Sequence, residues 1–267
     1  MDWLEALILG ILQGLTEFLP VSSSGHLEIG KVILGVDAER SLIFTIVVHG
    51  ATVLSTIVVF RNDIIRILRG FFLFQWNDEM RFVVFVLLSM IPVGLVALFM
   101  DGGERLEVLF TGNMVLVGSM LLITSMLLTF TRFARTRGGA VGPWDAVIIG
   151  IAQAVAVLPG ISRSGATIAT GLLLGKGREE ITRFSFLMVL IPILGQNFLS
   201  LISGDMAGGD QPDVTPMALM IGFIGAFFAG LFACSWMIRI VKRGDLIWFA
   251  IYCFIVGTIA IGYGIGA

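Results

Sequence analysis

A chain of 267 residues could make one or two soluble domains, but 57% of this one is apolar, only 13% is charged, and its mean hydropathy is +0.99. A soluble globule carries about 25% charged residues, so most of this surface must face lipid. The net charge of -2 leaves no basic stripe for nucleic acid. Two histidines exclude a multi-histidine metal site, and Cys234 and Cys253, both inside apolar runs, read as apolar filler and not as a disulfide framework. Met1-Asp2-Trp3-Leu4-Glu5 lacks a basic n-region, so the N-terminus does not read as a cleaved signal peptide.

In chain order, the first apolar stretch is broken. Residues 6–16 stop at Glu17, pass through Pro20-Val21-Ser22-Ser23-Ser24-Gly25-His26 and resume to about Leu34. Each half is too short for the roughly 20 helical residues that cross a bilayer. A half-helix, a polar turn and a second half-helix describe a re-entrant hairpin over 3–35, whose bare backbone must be buried in protein. Three long uncharged runs follow, near 42–60, 82–100 and 108–131. A second broken stretch, the hairpin 143–175, runs over 146–158, halts at Pro159-Gly160-Ile161-Ser162-Arg163-Ser164-Gly165 and restarts at Ala166. Three more uncharged runs, near 184–203, 214–238 and 246–266, complete the chain.

The two halves repeat each other at a shift of 140 without a gap. Gly10, Ile11 and Gln13 meet Gly150, Ile151 and Gln153; Ser22, Ser24 and Gly25 meet Ser162, Ser164 and Gly165; Phe44 meets Phe184. The expected fold is an all-α integral membrane protein of six transmembrane helices and two re-entrant helical hairpins. It forms a single membrane domain, with repeat one over 1–137 and repeat two over 138–267. Thirteen of the 17 basic residues fall in segments 61–81, 132–137, 176–183 and 239–243, all on one side if the hairpins do not cross. The positive-inside rule then puts both termini outside. Three spans per copy invert the second copy relative to the first, so the hairpin tips enter from opposite faces and can meet near the midplane.

What sits at the tips decides the chemistry. An ionised side chain at membrane depth costs at least about 2.5–3.5 kcal/mol, so it is functional by default; Glu17 and Arg163 are the two such residues. Their bland role would be to pair and pin the repeats together, which leaves the Ser-Gly chemistry around both unexplained. In the second hairpin, Gly160 and Gly165 bracket Ile161-Ser162-Arg163-Ser164. Glycine turns that aim N–H groups inward, a helix N-terminus, a guanidinium fork and two hydroxyls make an anion cradle suited to phosphate. In the first hairpin, Gln13 and Glu17 share a helix face at i,i+4, and both can offer oxygen to a hard cation such as Mg²⁺. The copies have diverged: Glu17 meets Val157, Ser23 meets Arg163 and His26 meets Ala166 at the 140 shift. One half carries carboxylate, hydroxyls and imidazole, and the other the anion clamp. That split suits phosphoryl transfer, which needs a nucleophile, a proton acceptor and positive charge on the phosphoryl oxygens.

The strings QGLTEFLPVSSSGH (13–26) and PGISRSGATI (159–168) resemble the two signatures of the undecaprenyl-diphosphate phosphatase family of the bacitracin-resistance type. With the repeat layout, the resemblance covers essentially the whole chain. It implies a bacterial inner-membrane hydrolase that removes the terminal phosphate of undecaprenyl diphosphate, recycling the lipid carrier for cell-wall synthesis. It also implies support by a divalent cation, Mg²⁺ or Ca²⁺, and an active site facing outward. Residue by residue, the resemblance makes Glu17 the essential acid and Gln13 its partner, with both as candidate metal ligands. Ser23 in the run Ser22-Ser23-Ser24 becomes the proposed nucleophile, with His26 as second candidate or general acid/base. Arg163 becomes the diphosphate clamp, and Gly25, Gly160, Ser162, Ser164, Gly165 and Thr167 join the substrate contacts. The chain differs from the common pattern at His49, where Gln is expected; His49 either satisfies itself between helices or lines the pocket. The rival reading is a transporter or flippase of a phosphorylated polyprenyl lipid. The expected partners are the polyprenyl diphosphate and membrane lipid. The glycine-rich stretch 222–230 permits close helix packing within one chain or in a homodimer.

Overall fold

In the computed structural model, residues 1–36, 42–99, 112–135, 138–195, 214–244 and 246–266 are described, and every element among them is a helix. Asp2 starts the first, α1 (Trp3–Phe18): its carboxylate accepts the Glu5 N–H, and the Glu5 carboxylate accepts the Asp2 N–H. Pro20 stops it, because the residue before a proline is held out of the α region; Leu19 is extended at φ -70, ψ 143. Helix α2 (Ser23–Leu34) begins on Ser22, whose Oγ accepts the Gly25 N–H, and ends at Gly35 with φ +68.

The same plan recurs later. Helix α7 (Pro143–Val155) is followed by α8 (Arg163–Leu173), whose cap Ser162 accepts the Gly165 N–H at 3.0 Å. Because Ser162 caps, the helix restarts at Arg163 and not at Ala166 as the sequence suggests. At 16, 12, 13 and 11 residues, all four helices fall short of the roughly 30 Å hydrocarbon core.

Among the described residues, four helices are long and apolar enough to cross a membrane: α5 (Asp78–Phe99), α6 (Met114–Phe130, continued by a 3₁₀ turn to Phe133), α10 (Pro216–Arg243) and α11 (Ile247–Gly266). A fifth is broken. Helix α3 (Leu42–Val59) bends by 76° into α4 (Arg61–Phe71), so part of the basic segment expected to be a connection is an amphipathic helix. The run expected near 184–203 begins within α9 (Arg178–Met188), turns at Val189 and is helical again over 190–195; its remainder lies outside the described residues.

Glycines set the helix crossings. A Cβ on Gly10 of α1 would collide with the Gly222 carbonyl of α10, and one on Gly150 of α7 with the Ser89 carbonyl of α5. Gly118 of α6 and Gly257 of α11 face each other's carbonyls, with Cβ positions 2.6 and 2.8 Å away. Such backbone approach is how membrane helices gain van der Waals contact where burial from lipid gives no hydrophobic drive. The stretch 222–230 packs inside this chain: Gly222 meets the Phe44 ring, and Gly230 meets Ser55 and Phe18. Ser55 donates to the Phe227 carbonyl at 2.8 Å. Phe44 and Phe184, matched in sequence, are both fully buried. Both cysteines are free and buried, as expected.

Candidate active site

The two broken stretches meet tip to tip. Gly25 stands against Gly160, whose Cα would be 3.0 Å from a Cβ on Gly25, and Gly165 stands against Pro20, at 3.3 Å. Gly160 has φ +98, and Ser22, unusually for a serine, has φ +71; left-handed backbone at a non-glycine residue marks a position held by its surroundings. Ser23 and Arg163 each occupy the first helical position after a capping serine. Two helix N-termini, with their partial positive charge, therefore converge where the chain also brings Glu17.

The Glu17 carboxylate organises the centre. Arg163 donates to its Oε1. On Oε2 it accepts from Ser23 Oγ at 2.7 Å and from Gln13 Nε2 at 2.9 Å, with His49 Nε2 3.8 Å away. Ser23 and Arg163 thus lie on the two oxygens of one carboxylate, within the reach of a single diphosphate. The side chain of Glu17 is 5% exposed and that of Arg163 27%. A buried charge needs partners, and here a guanidinium, a hydroxyl and an amide supply them. Ser23 is thus hydrogen-bonded to a carboxylate that has its own orienting partners, an arrangement that can activate a hydroxyl.

A narrow, partly open cleft begins at Glu17 and Arg163. Ser164, Thr52, Thr56 and Ser185 give it a hydroxyl wall, and Phe18, Val53, Phe186, Val189 and Ile193 an apolar one. Thr52 and Thr56 donate to the carbonyls of His49 and Thr52, at 2.8 and 3.0 Å. Thr167 donates to the Arg163 carbonyl at 2.9 Å, which leaves Ser185 as the donor in the 2.6 Å Thr167–Ser185 pair. The protons of Thr52, Thr56 and Ser185 are thus engaged within the protein, and Arg163 is the cationic residue among those lining the cleft.

The other expected residues divide between the centre and its supports. Gln13 is fully buried and its Oε1 has no hydrogen-bond partner. Ser22 and Ser162 cap their helices, and each lies 3.3 Å, Oγ to Oγ, from Ser24 and Ser164 respectively. Gly160 accepts from Thr124 at 3.0 Å, and Thr167 is buried behind the cleft against Ser185. His26 is engaged apart from the Glu17 hydrogen bonds: Nδ1 faces the Ser22 carbonyl at 2.8 Å, Nε2 faces the Tyr252 hydroxyl at 2.9 Å, and the two rings stack. A carbonyl only accepts, so Nδ1 carries the proton and Tyr252 donates to Nε2.

Sequence reading missed Thr52, Thr56, Ser185 and Tyr252. The first two had a signal, since Thr45, His49, Thr52 and Thr56 recur at the spacing of one helix face inside an otherwise apolar run. Ser185 and Tyr252 stand singly and had none. As for metal, no group of three or more His, Cys, Asp or Glu that could hold an ion occurs among the described residues. The oxygen donors at the centre are Glu17 and the unpartnered Gln13 Oε1.

Residues 6–259 match the family of the bacitracin resistance protein BacA. The chain is similar to the undecaprenyl-diphosphatases of Bacteroides fragilis and Parabacteroides distasonis, at 52% identity over 265 residues and 98% of each chain. That of Salinibacter ruber is 37% identical over 277 aligned positions, covering 98% of this chain and 99% of its own.

Proposed function

The chain belongs to the family of the bacitracin resistance protein BacA, and we infer that this multi-pass membrane protein is an undecaprenyl-diphosphatase working through the Glu17 cluster. Relatives of that name match it at 52% identity over nearly its full length. The observation that carries the residue assignment is Ser23 Oγ at 2.7 Å from Glu17 Oε2, with Arg163 on the other oxygen.

Ser23 Oγ attacks the terminal phosphorus as the anhydride bond to the lipid phosphate breaks, and its proton passes to Glu17. The leaving lipid phosphate is a weak base and departs without protonation. Glu17 releases that proton to solvent. Water then attacks the phosphoserine, Glu17 relays one water proton back to Ser23, and inorganic phosphate leaves. Arg163 binds phosphoryl oxygens in the ground state and as charge shifts in the transition state. Substrate phosphate competes with Glu17 for the guanidinium, so binding frees the carboxylate as it engages the clamp. His26, with both ring nitrogens engaged, is the weaker candidate for nucleophile. The residues also fit a divalent cation, because Glu17 Oε2 and Gln13 Oε1 are hard donors and phosphate oxygens can complete the shell. When bound, such an ion supplies positive charge to the phosphoryl oxygens.

The finer architecture is part of the same reading: six spans, two re-entrant hairpins and an inverted repeat, with repeats over 1–137 and 138–267. The paired crossings Gly10–Gly222 and Gly150–Ser89, and the paired tip contacts Gly25–Gly160 and Gly165–Pro20, support it. The distribution of basic residues supports a bacterial inner-membrane orientation with both termini and the active site outside. Labelling of an Ala267→Cys variant from outside tests the orientation, and cytoplasmic labelling would overturn it together with the inversion. Purified protein in detergent should release phosphate from undecaprenyl diphosphate. Micelles have no sides, so a transporter would release none, and that result would overturn the catalytic reading.

A further inference from the structure

The chain has two histidines, and their surroundings differ in one respect. Each places Nδ1 at 2.8 Å from the carbonyl four residues earlier, Ser22 for His26 and Thr45 for His49. Each Nδ1 therefore carries a proton, and Nε2 is the nitrogen left for a ligand. In His26, Nε2 is taken by Tyr252. In His49 it points at Glu17 Oε2 from 3.8 Å, too far for a hydrogen bond. Two ligands each about 2.1 Å from one ion stand at most about 4.2 Å apart, so 3.8 Å lies inside the span that one cation can bridge, at an angle of about 130° between the two donors. The His49 side chain is 25% exposed. An imidazole whose other N–H is tied to a backbone carbonyl is the usual state of a metal-bound histidine, since the outer bond fixes both tautomer and ring plane.

We propose that His49 is a ligand of the divalent cation, binding through Nε2 beside Glu17. The proposal rests on the phosphatase reading for the presence of the ion, and it adds a nitrogen donor to the oxygen set of Glu17, Gln13 and phosphate. The ion approaches on the Oε2 side, away from the Arg163 guanidinium on Oε1. Imidazole nitrogen moves preference from Mg²⁺ and Ca²⁺ toward Mn²⁺ and later divalent ions. Gln at position 49 would offer only its amide oxygen and should reverse that preference.

The probe is Mn²⁺ alone, added to the full-length, tag-free protein in detergent and read by ¹⁴N electron spin-echo modulation. Wild type and His26→Asn should both show imidazole coupling. His49→Gln should bind Mn²⁺ without it, and about tenfold or more weakly. His49→Ala, checked for an unchanged thermal midpoint, should regain the coupling when free imidazole is added. Coupling that survives in His49→Gln, bound Mn²⁺ without coupling in wild type, or no Mn²⁺ binding at millimolar concentration would each overturn the proposal. Phosphate release without nitrogen coupling would sink the ligand alone. Nitrogen coupling without phosphate release would sink the phosphatase reading and leave the ligand standing.

Discussion

The helix pairs α1–α2 and α7–α8 are built alike and equipped differently. Each has a serine cap whose Oγ accepts from a glycine N–H three residues on, each places a glycine against the other's turn, and each lays a glycine on a neighbouring carbonyl. Yet the first helical position is Ser23 in one and Arg163 in the other, and the last turn of the preceding helix carries Glu17 in one and no acid in the other. The lesson is that the two helix pairs agree at the glycines and caps that packing constrains and differ at the side chains of their shared centre. Phosphoryl transfer needs that asymmetry, because nucleophile and clamp must approach one phosphate from different sides.

The comparison breaks hardest at its most divergent position. Ser23→Ala should lower turnover by at least about 10³-fold while leaving the binding of a non-hydrolysable diphosphate lipid largely intact. More than a tenth of wild-type phosphate release would remove Ser23 as nucleophile and promote His26. Glu17→Gln keeps volume and loses charge; a general base of this kind is worth about 10²–10⁴-fold, with insertion and folding unaffected by size-exclusion chromatography. Arg163→Lys keeps charge and loses the planar fork, so phosphate release should fall about 10²–10³-fold, with weaker analogue binding as well. A lysine enzyme near wild-type rate would show that the site needs charge and not geometry.

Smaller effects sharpen the contrast. Gln13 and Gln153 are equivalent by position, but Gln13 donates to Glu17 whereas Gln153 has only the Met90 sulfur, 3.6 Å away. Gln13→Ala should cost about tenfold in turnover, on the scale of one hydrogen bond to a charged group, and Gln153→Ala should stay near wild type. Equal losses would reduce Gln13 to packing. The scaffold predicts the opposite pattern: Gly10→Ala and Gly150→Ala should each destabilise by about 1–3 kcal/mol through overpacking, measured as matching drops in thermal midpoint. One tolerant site would mean that the two crossings are not equivalent.

Local chemistry made much of this molecule readable from sequence alone. Pro20, Gly35, Ser22 and Ser162 act on backbone groups within about four residues, so the breaks between the short helices show in the letters, although the Ser162 cap starts its helix at Arg163, three residues before the Ala166 that the sequence suggests. Long uncharged runs point to membrane helices, and Gly10, Gln13, Ser22 and Gly25 recur at a shift of 140. Glu17 and Arg163 stood out because ionised groups are costly at membrane depth. Tertiary structure alone decided how those groups are used. Glu17 and Arg163 are 146 residues apart, and which oxygen Arg163 takes depends on how far each helix is rotated about its axis. That rotation is set by glycine crossings between distant segments, such as Gly10 on Gly222, and no local rule reports it. The same rotation turns His26 onto Tyr252 and His49 toward Glu17. Two imidazoles with matching Nδ1 hydrogen bonds thus end in different surroundings, because what lies beyond Nε2 belongs to another part of the chain.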